Sequence, residues 1–334
     1  CSIVALVCFC NRFQAEDAFT SLNKIIFAIL ACALWGGTIV APWFIPEFNP
    51  ILISSVRFVL YGLISFALAL PSLKKLIKKL GKADIYKLIQ LSIAGNILYF
   101  ACIGTAVQFA GITMTSLING LMPVSIAFLG RGEQSSLPFS QLKLPLCIVA
   151  FGLILINFIP DVFLGVHSST AQRIFGMFCV VAAVGSWSWF AIHNARYLKE
   201  SAFNSHEWSS LMGIMTGLIA LPAAILTVVV MPKAWFLQQT TQQWLTFGAV
   251  SLFLAIAGSW VANALWSAST RRLPISLGGQ LMVFETLFAC SYSYIFAGRL
   301  PSLLETIAIG CILGGVFWVI RLYMRVQTLQ KAQV

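Results

Sequence analysis

The chain is built from ten apolar runs that polar or charged clusters separate from one another. Each run is close to the ~20 residues that an α-helix needs to cross the hydrocarbon of a bilayer. Apolar types make up 59% of the 334 residues and charged types only 9%, too few charges to cover a soluble core of this size. We therefore predict an all-α polytopic membrane protein with ten transmembrane helices, and we exclude a soluble enzyme and a secreted disulfide scaffold. The approximate spans are 24–45, 50–71, 88–109, 112–130, 144–165, 173–193, 209–231, 244–267, 275–297 and 304–324.

The positive charges are distributed unevenly between the segments that join these runs. When the N-terminus is placed in the cytoplasm, 17 of the 21 lysine and arginine residues fall on the cytoplasmic side. The opposite side receives Arg173, Lys233 and Arg299, and Arg57 lies within a span. Because cytoplasmic loops carry the excess of Lys and Arg, this split predicts that both termini are cytoplasmic. Membrane orientation thus explains the net charge of +11, and no nucleic-acid partner is implied.

The two halves of the chain share a short repeat. Ser116–Met122 in span 4 aligns with Ser276–Met282 in span 9 at a constant offset of 160, with four of seven positions identical. Since each half has an odd number of helices, equivalent helices cross in opposite directions, which is the inverted-repeat architecture of secondary transporters. The predicted organisation, in chain order, is an N-terminal segment of undetermined status (1–20), a first five-helix repeat (24–165), a second (173–325) and a cytoplasmic tail (326–334).

Four motifs follow one another along the chain. They are Ala33-Leu34-Trp35-Gly36-Gly37 in span 1, Arg57-Phe58 in span 2, Leu121-Met122-Pro123 in span 4 and Gly310-x-x-x-Gly314-Gly315 in span 10. In this order they resemble the drug/metabolite transporter superfamily, in particular its EamA-like ten-helix members. The resemblance implies export of amino acids, other small metabolites or drugs through a central cavity lined mainly by spans 1, 3, 4, 6, 8 and 9. One departure is Val283, which stands where the family pattern implies a proline.

Two ionisable residues lie well away from the ends of predicted spans. Glu285 is about ten residues into span 9, which at ~1.5 Å per residue places it ~14 Å deep, near the bilayer centre. An ionisable group at that depth is a functional candidate, either to bind a cationic substrate group or to couple transport to a proton, although a neutral hydrogen-bonded carboxyl is the alternative. Arg57 could attract a carboxylate, but we favour a structural role, by snorkelling to the interface or by anchoring the 45–50 loop through Glu47.

Amide and aromatic side chains form a second set of candidates. Asn119 and Gln280 are the polar members of the repeated segment, and an amide that both donates and accepts suits a polar or zwitterionic solute. Interhelical hydrogen bonding competes with that interpretation, and Asn263 is a weaker case of the same kind. Indole rings within spans could stack on a planar substrate, or they could simply pack the bundle. These candidates are Trp35, Trp187 and Trp260.

Three prolines interrupt the predicted helices and are candidate hinges for alternating access. They are Pro42, Pro123 and Pro222. Two glycine pairs, Gly213-x-x-x-Gly217 and Gly310-x-x-x-Gly314, predict close helix packing.

Other function classes fit the sequence less well. No metal-ligand spacing, Gly-x-Ser-x-Gly or phosphate-loop motif occurs, so an intramembrane enzyme and ATP-driven transport are disfavoured and no cofactor or metal is implied. We predict a multi-pass secondary transporter of the bacterial inner membrane that exports small metabolites, first amino acids or related compounds. A multidrug exporter and a nucleotide-sugar exchanger are the alternatives within the superfamily. Substrate, proton coupling and oligomeric state are left open by the sequence.

Overall fold

The computed structural model of the chain describes residues 21–129, 138–157, 169–271, 273, 275–298 and 300–332. The predicted N-terminal segment, 1–20, lies outside this part. The described residues are almost entirely helical and include no β-strand, which confirms the all-α prediction. The α-helices are α1 Ser21–Val40, α2 Pro50–Ala69, α3 Leu73–Lys79, α4 Lys82–Ser92, α5 Tyr99–Asn119, α6 Met122–Leu129, α7 Phe139–Asn157, α8 Thr170–Glu200, α9 Ser205–Val230, α10 Lys233–Gln238, α11 Thr241–Ala255, α12 Ala262–Thr270, α13 Ile275–Leu281, α14 Val283–Ala297 and α15 Leu303–Ala332.

Most predicted spans coincide with long apolar helices. Five helical segments of the described chain are long and apolar enough to cross a membrane, and three shorter apolar helices accompany them. Together they match every predicted span except the fourth and the ninth, so the chain is a multi-pass integral membrane protein. The five are Ile51–Lys79, Lys82–Ala106, Ala171–Glu200, Ser205–Val230 and Thr241–Thr270, and the shorter three are Asn23–Thr38, Ser140–Gly152 and Leu303–Val319.

The fourth and ninth spans are each interrupted within the repeated segment. Helical backbone continues through α5 to Asn119, across the boundary that the sequence places near 110–111, and it breaks at Gly120 and Leu121. The reason is Pro123 in the first turn of α6, which lacks an N–H and excludes the carbonyl four residues earlier. In the second half, α13 and α14 are separated at Met282. The repeat therefore marks a helix break in each half of the chain.

The chain divides into two compact units, and each draws on both halves of the sequence. Among the described residues, the first unit holds those up to Ile97 together with those of 193–271, and the second holds those of 98–192 together with those from Leu273 onward. Chain segments that are distant in sequence thus form one folded body in each case.

In the first unit, α2 and α9 pack at glycines. A Cβ atom built on Gly217 would lie 2.7 Å from the Gly62 Cα, and one built on Gly213 would overlap the Ser65 side chain. Because only glycine lets the two backbones approach this closely, the predicted packing role of the Gly213–Gly217 pair is confirmed.

In the second unit, α7 and α15 also meet at small residues. A Cβ atom on Gly152 would lie 2.7 Å from the Ala308 carbonyl oxygen, and one on Gly315 would lie 2.6 Å from a Val149 methyl group. Within the described chain, Gly310 and Gly314 face open space, so the predicted packing of that pair is wrong. The contact falls one residue later, on the adjacent face of the same helix.

One end of the first unit is held by charged side chains around the linker between α8 and α9. The Lys79 ammonium lies 2.6 Å from a Glu207 carboxylate oxygen and over the Phe203 ring. The Glu207 carboxylate also accepts from the Asn204 N–H at 3.0 Å, which closes a capping box at the start of α9. Arg271 donates to the Phe203 carbonyl at 2.8 Å. Charges from three chain segments thus fix this linker.

Candidate functional site

The two amides of the repeated segment both lie beside helix breaks in the second unit. Asn119 is the last residue of α5, is half-buried, and accepts a hydrogen bond from the Tyr99 hydroxyl at 3.3 Å. Gln280 is the penultimate residue of α13 and is fully buried. Within the described chain, neither its Oε1 nor its Nε2 has a hydrogen-bond partner. A buried amide of this kind carries a large desolvation penalty, so it needs an explanation.

The surroundings of Gln280 are tightly packed. Helix α13 packs against α6, the helix that follows the corresponding break in the first half. A Cβ atom built on Gly279 would lie 2.7 Å from a methyl group of Ile126, so a larger residue could not occupy that position. The two breaks of the repeat therefore contribute neighbouring helices to one body, with an amide at each break.

Glu285 lies in the first turn of α14, directly after the second break. Its side chain is half-buried, and its backbone N–H donates to the Met282 carbonyl at 3.0 Å. A carboxylate in the first turn of a helix is stabilised by the positive end of the helix dipole. This position is compatible with both predicted roles, binding of a cation and uptake of a proton.

Arg57 is buried in the first unit, with only 6% of the residue exposed. Its Nε donates to the Ser259 hydroxyl at 2.9 Å, and one terminal nitrogen donates to the Gly258 carbonyl at 3.2 Å. The Glu47 side chain is exposed. Arg57 therefore bonds to groups inside the helix bundle, in keeping with the structural role that we favour. Its side chain does not snorkel to the membrane surface.

Two of the three tryptophan candidates pack within the first unit. The Trp35 ring lies 5.4 Å from the Trp266 ring, between α1 and α12. Trp260 is fully buried, donates to the Ser210 hydroxyl at 3.4 Å, and has the His206 ring 5.3 Å away. Both rings therefore serve the packing of the bundle.

Trp187 and Asn263 are the remaining candidates of this set. In the second unit, the Trp187 ring lies 6.5 Å from the Tyr99 ring, so it neighbours the group that binds Asn119. In the first unit, Asn263 is half-buried beside Tyr61, whose hydroxyl donates to the Ser209 carbonyl at 3.1 Å. The candidates therefore divide between the two units, with Asn119, Gln280, Glu285 and Trp187 in the second.

The three prolines behave differently from one another. Pro42 lies in a short 3-10 turn directly after α1, and Pro123 lies directly after the first break. Helix α9 continues through Pro222 from Ser205 to Val230, so the interruption expected there is wrong. In membrane helices, local adjustment and neighbouring side chains re-satisfy the backbone groups that a proline frees.

The sequence interpretation missed a pair of π-helical turns, Ile93–Leu98 and Ile256–Val261. The signal was a second repeat at an offset of 163, in which Ile93-Ala94-Gly95-Asn96 corresponds to Ile256-Ala257-Gly258-Ser259. Such turns are rare in proteins and are frequent at functional sites.

Residues 22–158 match the model of the EamA-like transporter family. The match confirms the resemblance stated from the sequence, and it supports transport across a membrane as the function.

Relatives extend the similarity to nearly the whole chain. Inner membrane protein YtfF of Escherichia coli (strain K12) is 28% identical over 317 residues, which cover 90% of this chain and 95% of the relative. Uncharacterized transporter YetK of Bacillus subtilis (strain 168) is 24% identical over 294 residues, 86% of this chain and 83% of the relative. A solved crystal structure has the same fold, with a TM-score of 0.73 and 17% identity, and covers 91% of this chain and 98% of that chain.

Proposed function

We propose that this EamA-like transporter is a secondary exporter of small metabolites, amino acids or related compounds, and that it works by alternating access around a cavity near the membrane midplane. The observation that carries the proposal is Gln280, a fully buried amide whose two polar atoms have no partner in the described chain. An amide can donate to a carboxylate and accept from an ammonium group, so it suits a zwitterionic solute.

The place of Gln280 in the fold supports the same function. Secondary transporters bind solutes near the midplane at interrupted helices, where the break frees backbone groups to bind the solute. Gln280 and Asn119 lie beside such breaks, at adjacent positions of the aligned repeat. In this proposal the carboxyl of Glu285, five residues after Gln280, neutralises a substrate ammonium group or carries a coupling proton.

The proposal includes a topology and a location. Ten spans would be arranged as two inverted repeats, 24–165 and 173–325, with both termini in the cytoplasm, as the distribution of lysine and arginine indicates. The full-length similarity to a protein named as an inner membrane protein supports the bacterial inner membrane as its location.

Release from vesicles tests the proposal. Purified protein is reconstituted into liposomes that hold labelled neutral amino acids, a planar aromatic cation and a nucleotide sugar, and release is compared with that from protein-free vesicles. We expect release of amino acids by the unaltered protein and loss of that release in Gln280→Leu. Gln242→Leu, the same change at an exposed position of α11, should leave release unchanged. Release of the planar cation alone would assign the chain to drug export, and release no faster than from protein-free vesicles would refute the proposal.

A further inference from the structure

The two π-helical turns occupy equivalent places in the two halves of the chain. Ile93–Leu98 lies in the third predicted span and Ile256–Val261 in the eighth, which is the third of the second half. Five of eleven positions are identical between 91–101 and 254–264. A π turn inserts one residue into a helix, so every side chain beyond it is rotated by about 100° relative to an uninterrupted helix.

The second π turn is held by Arg57 of α2. The guanidinium donates to the Ser259 hydroxyl at 2.9 Å and to the Gly258 carbonyl at 3.2 Å, so it bridges a side chain and the backbone of the turn. The Ser259 hydroxyl in turn donates to the Leu254 carbonyl at 3.0 Å. A Cβ atom on Gly258 would overlap a methyl group of Thr38, which explains the glycine at this close contact with α1.

The first π turn is held in the corresponding way by α9. The Asn96 amide donates to the Thr216 hydroxyl at 3.1 Å, and both residues are buried. Asn96 corresponds to Ser259 in the repeat, and Thr216 follows Arg57 by 159 positions, close to the offset of the other repeat. In each case a polar residue of the second helix of one half binds the π turn of the third helix of the other half.

We propose that these two polar pairs, Arg57–Ser259 and Asn96–Thr216, are positioning contacts that fix the π turns and so set the rotation of the helices beyond them. The helix beyond the first turn, α5, ends at Asn119, which accepts from Tyr99 and lies beside the proposed solute site. The helix beyond the second turn, α12, carries the candidate residue Asn263. This link to transport rests on the proposed function, whereas the effect of the pairs on the turns does not.

Hydrogen–deuterium exchange of the purified protein in detergent micelles tests the first part. Ser259→Ala removes the hydroxyl that binds a charged donor, so exchange in 254–262 should accelerate about tenfold or more. Ser251→Ala is the matched control, because Ser251 is equally buried in α11 and has no partner in the described chain. Equal exchange in the two variants would overturn the proposal.

The other pair supplies a reciprocal test. Thr216→Val removes the acceptor of Asn96 at nearly constant volume and should accelerate exchange in 91–98 about threefold or more, without changing 254–262. Thr216→Ser keeps the hydroxyl and should exchange like the unaltered protein. An equal effect of Thr216→Val on both turns would show general loosening of the bundle and would overturn the assignment.

Transport kinetics test the consequence for the path. With labelled neutral amino acids in the vesicles, Ser259→Ala should raise KM at least tenfold over Ser251→Ala, at equal amounts of reconstituted protein. Accelerated exchange with an unchanged KM would refute the positioning role and leave a purely structural contact. Absence of release by the unaltered protein would refute the proposed function, while the exchange data would still decide whether the pairs hold the turns.

Discussion

Replacing Gln280 with leucine is expected to stabilise the protein and to abolish transport. The residue is fully buried in the second unit, and in the described chain its Oε1 and Nε2 have no hydrogen-bond partner. A buried polar group left unsatisfied costs about 1–3 kcal/mol, whereas an apolar side chain of similar size carries no such penalty. A residue of this kind is retained for function at the expense of stability.

The magnitude follows from the two unsatisfied atoms. Relief of both desolvation penalties favours Gln280→Leu, and imperfect packing of the branched side chain beside Gly279 and Ile126 opposes it. We therefore expect a net gain of about 1–3 kcal/mol in the free energy of unfolding. Thermal unfolding in detergent, monitored without any solute, should give a melting temperature several degrees above that of the unaltered protein.

Asn194→Leu is the matched comparison. Asn194 is also a buried amide, but its oxygen accepts from the Trp208 indole N–H at 2.7 Å. Its replacement leaves that indole unpaired and should lower the free energy of unfolding by about 1–3 kcal/mol. If both variants lower the melting temperature equally, the amide of Gln280 is a satisfied structural group and the reasoning about its role is refuted.

Three further predictions concern packing, coupling and the charged linker. Gly217→Ala should lower the free energy of unfolding by about 1–3 kcal/mol, because its methyl group would meet the backbone of α2. Gly248 faces open space, so Gly248→Ala should leave the free energy of unfolding unchanged. Melting curves in detergent measure both effects. Glu285→Gln should abolish the response of vesicle efflux to a pH gradient with unchanged folding, and an unaltered response would remove Glu285 from coupling. Lys79→Met should lower the free energy of unfolding by about 1 kcal/mol, because Glu207 loses its partner, and an unchanged melting curve would contradict this.

The sequence predicted the class of fold because the membrane imposes one strong rule, that a span needs about 20 apolar residues in a helix. Eight of the ten predicted spans appear as apolar helices in the described chain. The other two contain helix breaks, one beside Pro123 and one at Met282. These breaks have local causes, and the overall apolarity of a span does not indicate them. Periodicity and hydropathy report burial, but they do not report a break inside an apolar run.

The candidate site was predictable in its residue types and not in its contacts. The repeated segment pointed to Asn119 and Gln280, but only the structure distinguishes the amide bonded to Tyr99 from the one without a described partner. Arg57 was predicted to have a structural role, but its bond to Ser259 was not predicted, because Ser259 is 202 positions away in the chain. The π turns were not predicted, because the three consecutive residues that the two turns share, Ile-Ala-Gly, are common in membrane helices.

The inverted threading of the two halves underlies the proposed solute path, and reporter fusions measure it directly. One reporter is placed near Gln239, between the seventh and eighth predicted spans, and another after Gln330 in the C-terminal tail. We predict that the reporter near Gln239 lies on the periplasmic side and that the one after Gln330 lies in the cytoplasm. Both reporters on the same side of the membrane would contradict the inverted repeat, and with it the solute path that the two halves are proposed to enclose.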